Sequence, residues 1–253
     1  MALSRRTQHR YAFSHVTAAA LLGLPIRSAA LHAVDLTVAP APGVRTRQQS
    51  DIRQHVARLD EDVVALHGLP VTSPTRTVAD CLRHLTAHDS VGIGDAALHA
   101  RLATLDEVRQ TLARQSGWPY AGVAALALPM LDERRESSLE SRSAVVMHRY
   151  GLPRPESQTT IYDTRGGFVA RVDFAWLGAA VVGEADGRVK YRDGDPIAVF
   201  EAEKDRQARL EALGLVVVRW GWKHLVGEPP PLVGRLREAL ARGDASRFTG
   251  RAA

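Results

Sequence analysis

Leu215-Val216-Val217-Val218 follows directly on Gly214, and no other stretch restricts the fold of this chain as much. Four aliphatic residues in a row leave no polar face, so a strand built from them needs apolar cover on both sides. The preceding segment, Val199–Leu213, is polar with helical spacing, and Gly214 has the position of a C-terminal helix cap. A strand entered from a helix and buried on both faces belongs inside a sheet with helices on each side. Upstream come a helix capped by Ser137 or Ser138 and running to about Tyr150, then three strand-like runs, Gln158–Tyr162, Phe168–Phe174 and Ala180–Ala185. Gly166-Gly167 marks a hairpin between the first two. After Pro229–Pro231 a last helix covers Leu232–Ala241. The expectation is α/β: a mixed central sheet flanked by helices.

The first half reads as a separate α+β segment. Ser14 caps a short helix that stops at Gly23-Leu24-Pro25. Val34–Val38 alternates as a half-buried strand, and Ile52–His55 and Val63–Leu66 are two further short strands. Ser73-Pro74 opens a helix through Leu85, Asp89 or Ser90 opens another, and Thr104-Leu-Asp-Glu107 is a capping box for a third. The expected division is residues 1–118, a linker helix at 119–133, a second domain at 134–242 and a disordered basic tail at 243–253.

Charge narrows function only slightly. The chain of 253 residues carries 33 basic and 28 acidic side chains, with 13 against 10 before Tyr120 and 20 against 18 after it. No block acts as a polycation. The excess permits a nucleic-acid partner without requiring one. Thirty of the 33 basic residues are arginine. Codon bias explains that as well as phosphate recognition does. A lone Cys81 rules out an internal disulfide and favours a reducing cytoplasm. Ser4-Arg5-Arg6 before the apolar Val16–Ile26 mimics a twin-arginine leader, but Arg10, His15 and Arg27 interrupt the pattern, so a first amphipathic helix is expected instead.

The acids of the second half stand in unusual places. Asp173 lies between Val172 and Phe174, and Glu184 and Asp186 follow Val181-Val182. Residues two apart on a strand share a face, so Glu184 and Asp186 project together, and hairpin pairing lets Asp173 join them. Such carboxylates repel unless a cation neutralises them, and hard oxygen donors suit Mg²⁺. Glu136 and Glu140 on the preceding helix offer a fourth carboxylate. The plain alternative is a set of surface acids paired with Arg171, Arg188 and Lys190.

The run Ser-Ser-Leu-Glu140, Val-Asp173-Phe, Gly-Glu184-Ala-Asp186-Gly187-x-x-Lys190-Tyr191, Glu203-Lys204-x-Arg206 and Val217-Val-Arg219-Trp220 resembles the actinobacterial branch of very-short-patch-repair-endonuclease-like proteins, within the PD-(D/E)XK nuclease fold. The resemblance covers about residues 134–226. Residues 12–115 resemble an AbiEi-type antitoxin-like region through Ser14-His15-x-Thr-Ala-Ala, Gly23-Leu-Pro25 and Gly68-Leu-Pro70-Val-Thr-Ser-Pro-x-Arg76-Thr77-Val-x-Asp80. The stretch before Ser14 is too short for the winged helix that often precedes that motif. The resemblance implies a Mg²⁺-dependent DNA endonuclease of phage defence or repair, with Glu140, Asp173 and Glu184 holding the metal at the scissile phosphate. Asp186 stands where that fold places a lysine. Either Lys190 takes over its role or Asp186 is a further ligand. Lys190, Arg206 and Arg219 are the expected DNA contacts, although Arg206 also reads as the solvated face of its helix with Arg209, Glu203 and Glu211. The alternative to an enzyme is a non-catalytic, antitoxin-like regulator that binds DNA or a cognate toxin on a degenerate nuclease fold.

Weaker motifs compete for other chemistry. Cys81, His84 and His88 share a helix face but have no fourth zinc ligand. Gly92-x-Gly94 lacks the rest of a dinucleotide fingerprint. Trp220 and Trp222 suit packing better than base stacking.

Overall fold

Ser137 and Ser73 show how locally written much of this fold is: each caps a helix with its hydroxyl, accepting from the N–H of Glu140 and of Arg76. The computed structural model describes residues 10–27, 32–59, 61–186 and 196–253, with the backbone alone for 196–200. It divides into two units, Met1–Glu133 and Arg134–Ala253. Helices and two mixed sheets, one of six strands and one of five, make it an α/β protein. Among the described residues no helix is long and apolar enough to cross a membrane.

The first unit is built from β1 (Tyr11–Phe13), α1 (His15–Leu21), β2 (Val34–Val38), β3 (Arg47–Gln49), β4 (Ile52–Val56), β5 (Val63–Leu66) and β6 (Leu69–Thr72), followed by α2 (Pro74–His84), α3 (Ala87–His99), α4 (Leu105–Arg114) and α5 (Ala121–Ala127). Its sheet runs β3-β4-β2-β1-β6-β5. Thr104 and Glu107 form the expected capping box of α4. Segment 119–133, expected as a linker, belongs to this unit instead. Ala124, Ala127 and Leu131 are buried, and a Cβ on Gly94 of α3 would sit 2.6 Å from Leu131 Cδ2. Gly94 therefore serves helix packing, not a nucleotide. Arg76, Asp80 and Arg83 on α2 form a buried ion ladder. Asp80 accepts from Arg76 Nε at 2.9 Å and from Arg83 Nη2 at 2.5 Å. The two guanidiniums lie over the Trp118 ring.

The second unit comprises α6 (Ser138–Arg149), β7 (Glu156–Tyr162), β8 (Phe168–Trp176), β9 (Val181–Ala185), α7 (Pro196–Ala212), β10 (Val216–Trp220), α8 (Pro231–Arg242) and β11 (Arg251–Ala252). The sheet order is β10-β9-β8-β7-β11, with β10 parallel to β9 and the rest antiparallel. The Leu215–Val218 run behaves as its composition demands. Val218 joins Phe174, Trp176, Trp220, Met147, Leu232 and Leu236 in one core, and Val217 packs on the opposite core of Val172, Val182 and Leu210. Each large side chain buried in this way contributes roughly 1.5–3 kcal/mol. Trp220 satisfies its buried indole by donating to Ser143 Oγ at 2.7 Å. Residues 243–253 are ordered, contrary to expectation. Phe248 packs on the α7-side core, Thr249 N donates to Leu213 O at 3.0 Å, and β11 pairs with β7.

Candidate active site

Glu140 is drawn inward by its own helix terminus. It sits three residues after the cap Ser137, where a carboxylate satisfies free N–H groups and meets the positive end of the helix dipole. Its Oε1 accepts from Ser137 Oγ at 2.6 Å and its Oε2 from Glu136 N at 3.1 Å. The side chain is buried. Glu136 lies before the helix, not one turn along it, and pairs with Arg171 at 2.7 Å.

Gln158, which no sequence pattern marks, connects Glu140 to the sheet. Its Nε2 donates to Glu140 Oε2 at 2.8 Å and to Asp173 Oδ1 at 3.0 Å. The backbone there has φ +54° and the β7–β8 pairing steps over it, from Ser157↔Phe174 to Thr159↔Val172. A non-glycine residue held left-handed inside a strand is strained, and such strain gathers at functional positions.

Asp173 falls inside β8, not at its end as expected, because the strand continues to Trp176. The β8–β9 pairing ends at Phe174↔Gly183, and Asp173 and Glu184 are the residues next beyond that pair on their strands. Asp173 Oδ2 accepts from Ala185 N at 2.7 Å. Burial pushes its carboxyl up, and the charge of Glu140 adds to that. The Ala185 N–H, the Gln158 amide and Arg206 pull the other way.

Glu184 is 2% exposed and lies beside Arg219 in the parallel β9–β10 register. Arg206 Nη2 approaches its Oε1 at 2.5 Å and Arg219 Nη2 its Oε2 at 2.6 Å. Neither oxygen has a hydrogen-bond partner in satisfactory geometry. The two contacts are close ion pairs whose alignment is poor for hydrogen bonding. Burial raises the Glu184 carboxyl, and the two arginines lower it in part. Asp186 is more exposed and lies 3.8 Å from Arg219 Nη1. Burial raises it as well, against the pull of Arg219.

The two arginines expected to hold DNA thus face the acids. Arg206 also donates to Glu203 Oε1 at 3.1 Å and to Arg171 O at 2.9 Å, and Arg219 donates to Glu203 as well. Lys190 lies outside the described residues, as do Arg5 and Arg6 of the leader-like motif. The structure brings Asp173, Glu184, Asp186, Arg206 and Arg219 to one place, ties Glu140 in through Gln158 and adds Glu203. Among the described residues, no three carboxylate oxygens lie within 4.8 Å of one another; a histidine trio in the first unit is the only set of three potential ligands that does. Cys81 is fully buried and burial pushes its thiol up, so it is neither a thiolate ligand nor a nucleophile.

Two proteins of Mycobacterium tuberculosis, "Uncharacterized protein MT2308" from strain CDC 1551 / Oshkosh and "Uncharacterized protein Rv2248" from strain ATCC 25618 / H37Rv, are each 32% identical to this chain over 235 residues, covering 92% of it and 82% of their own length. This chain belongs to the Rv2248 family. No family model and no solved structure matches it. The chemistry of this Rv2248-family site therefore rests on its own residues: buried, hard-to-ionise carboxyls on adjacent strands, held together by two guanidiniums. The set has the donor atoms for a hard cation and the positive groups for an anion.

Proposed function

We propose that the second unit is a Mg²⁺-dependent endonuclease that hydrolyses phosphodiester bonds in DNA, as its resemblance to the very-short-patch-repair-like PD-(D/E)XK proteins implies. One observation carries the reading. Asp173 and Glu184 lie on neighbouring strands, each next to the Phe174↔Gly183 pair, both carboxyls are raised by burial, and Glu184 is 2% exposed between two guanidiniums. Keeping such groups buried is costly and is characteristic of sites where they serve chemistry.

The donor set suits the ion. Mg²⁺ is commonly held by one or two carboxylates and completes its shell with water and phosphate oxygens, so the absence of a third oxygen within 4.8 Å is no obstacle. Asp173 and Glu184 would hold it, with Glu140 and Asp186 on their flanks. Bound there, Mg²⁺ polarises the phosphate and lowers the pKa of a coordinated water. Gln158 keeps Glu140 and Asp173 in register. Arg206 and Arg219 pair with Glu184; with Mg²⁺ held by that carboxylate, their guanidiniums would be the groups placed to hold phosphate oxygens. Such contacts position the backbone without reading bases. With Asp186 at the place of the lysine, no ammonium from that position orients the water. The work belongs in the cytoplasm, where DNA and a reducing medium for Cys81 are found.

A second reading has its own observation. Glu184, Glu203, Arg206 and Arg219 already balance one another, as in a nuclease fold kept as a scaffold for a regulator that binds DNA or a toxin protein. Incubation of supercoiled plasmid with Mg²⁺ separates the two. Nicking by the wild type that is lost in both Asp173→Ala and Glu184→Ala supports the enzyme. Intact plasmid, with no heat of Mg²⁺ binding at millimolar concentration, supports the scaffold.

A further inference from the structure

His15 at the start of α1, His55 on β4 and His84 at the end of α2 come from three separate elements, yet one ring nitrogen from each lies within 4.8 Å of the other two. Each ring has one nitrogen engaged by an oxygen. His15 Nδ1 meets Ser14 Oγ at 2.9 Å, His55 Nε2 donates to Asp35 Oδ1 at 2.8 Å, and His84 Nδ1 donates to the Asp80 carbonyl at 3.1 Å. This is the outer shell that metal-binding imidazoles ordinarily have: one nitrogen fixed by an oxygen partner, the other left to the ion. On that pattern the remaining donors are Nε2 of His15, Nδ1 of His55 and Nε2 of His84; His84 now turns its Nδ1 toward His15 Nε2, 3.2 Å away, so its ring has to rotate to present Nε2 to an ion.

We propose that His15, His55 and His84 bind one divalent transition-metal ion of the zinc class, with a fourth position open to the adjoining cleft. The cleft has a volume of about 480 Å³, and its walls include all three histidines together with Thr37, Arg58, Trp118 and Tyr120. Three neutral imidazoles with one open position suit a borderline ion such as Zn²⁺ and leave room for water or a small anionic ligand.

Independent features point the same way. Asp35 is 1% exposed and its Oδ2 has no hydrogen-bond partner. A buried carboxylate with an unsatisfied oxygen is expensive; Arg53 Nη1, 3.4 Å from Asp35 Oδ1, offsets part of that cost, and positive charge reaching Asp35 through His55 offsets more. His15 has φ +50°, a strained conformation that sets its ring against the other two. In the metal-free arrangement His15 and His55 stack with centroids 3.7 Å apart, and His15 Nε2 lies 3.2 Å from His84 Nδ1. Loading the ion tilts the His55 ring out of that stack.

The test uses the full chain, stripped with chelator and titrated with Co²⁺ alone. The expected result is about one equivalent bound with the intense visible bands of a four-coordinate nitrogen-rich site, displaced by about one equivalent of Zn²⁺. The signal should persist in Glu184→Gln, which places it away from the acidic site. It should vanish in His55→Gln and His84→Gln variants that retain wild-type circular dichroism. Should those fail to fold, Asp35→Asn, which removes only the outer partner, should weaken Co²⁺ binding about 10- to 100-fold. Absence of stoichiometric Co²⁺ absorption, or equal binding by the wild type and the histidine or Asp35 variants, overturns the proposal and leaves a cluster held by stacking and hydrogen bonds.

Discussion

The Gln158 side-chain amide donates to the Asp173 carboxylate at 3.0 Å, and its second N–H goes to Glu140. This one group therefore sets how the helix acid faces the strand acid. It does so from a left-handed backbone position that a glutamine adopts only under constraint.

Gln158→Gly removes the bridge and relieves the backbone. Global stability should change by less than about 1 kcal/mol, since a strained φ and a hydrogen-bonding amide are lost together. Mg²⁺-dependent plasmid nicking should fall roughly tenfold, as expected when a positioning contact is lost. A variant that nicks at the wild-type rate would remove Gln158 from the mechanism.

The acidic site should leave a pH signature in stability. Asp173, Glu184 and Asp186 are all raised, chiefly by burial. A carboxyl raised by folding favours the folded state below its unfolded value, about 4, and that contribution is lost as pH rises through the folded value. At neutral pH the three groups therefore cost stability, and a divalent cation held there, as proposed, would offset the cost. Millimolar Mg²⁺ should raise Tm by a few degrees at about pH 7.5 and by much less at about pH 4.5, where protons already neutralise part of the site. Equal shifts at both pH values, followed by scanning calorimetry, would speak against this account.

Asp80 is the sole carboxylate between two buried guanidiniums on α2. Asp80→Ala leaves Arg76 without its bidentate partner and Arg83 without its closest one. The expected loss is about 3–5 kcal/mol, read from urea unfolding followed by circular dichroism. A loss below about 1 kcal/mol would mean that Asp62, Gln115 and the backbone acceptors suffice.

Gly214 has φ +85°, and a Cβ there would lie 2.0 Å from the carbonyl oxygen of Arg247. Gly214→Ala should cost about 2–3 kcal/mol. Amide exchange should speed up at Thr249, whose N–H bonds to Leu213 O next door. Unchanged exchange would show that the C-terminal segment does not depend on this close approach.

What the sequence discloses follows from how local each signal is. The caps at Ser73, Thr104 and Ser137, the end of α7 at Gly214 and the double burial of Val217 and Val218 are properties of short windows, and the structure agrees with them. The strands β1, β3, β6 and β11 were not legible, because three- or four-residue segments or shorter take their identity from partners elsewhere in the chain. The acids were legible as misplaced polar residues among aliphatics. Their pairing with Arg206 and Arg219 required the register of β9 and β10. Gln158 and the His15–His55–His84 trio carry no spacing signal at all. Cys81, His84 and His88 do not share a helix face, because α2 ends at His84 and His88 belongs to α3, and of the three only His84 joins a candidate site.

The two-residue pairing of β11 with β7 has a practical side. A bare outer strand presents N–H and C=O groups that adhere to the strands of other molecules. Arg251 and Ala252 occupy part of that row on β7, and Ala253 exchanges both of its main-chain bonds with Thr160. Residues 251–253 thus work as a selvedge that keeps the sheet from fraying into its neighbours. Ala252→Pro, which would clash with this pairing, should therefore make the protein clump more readily.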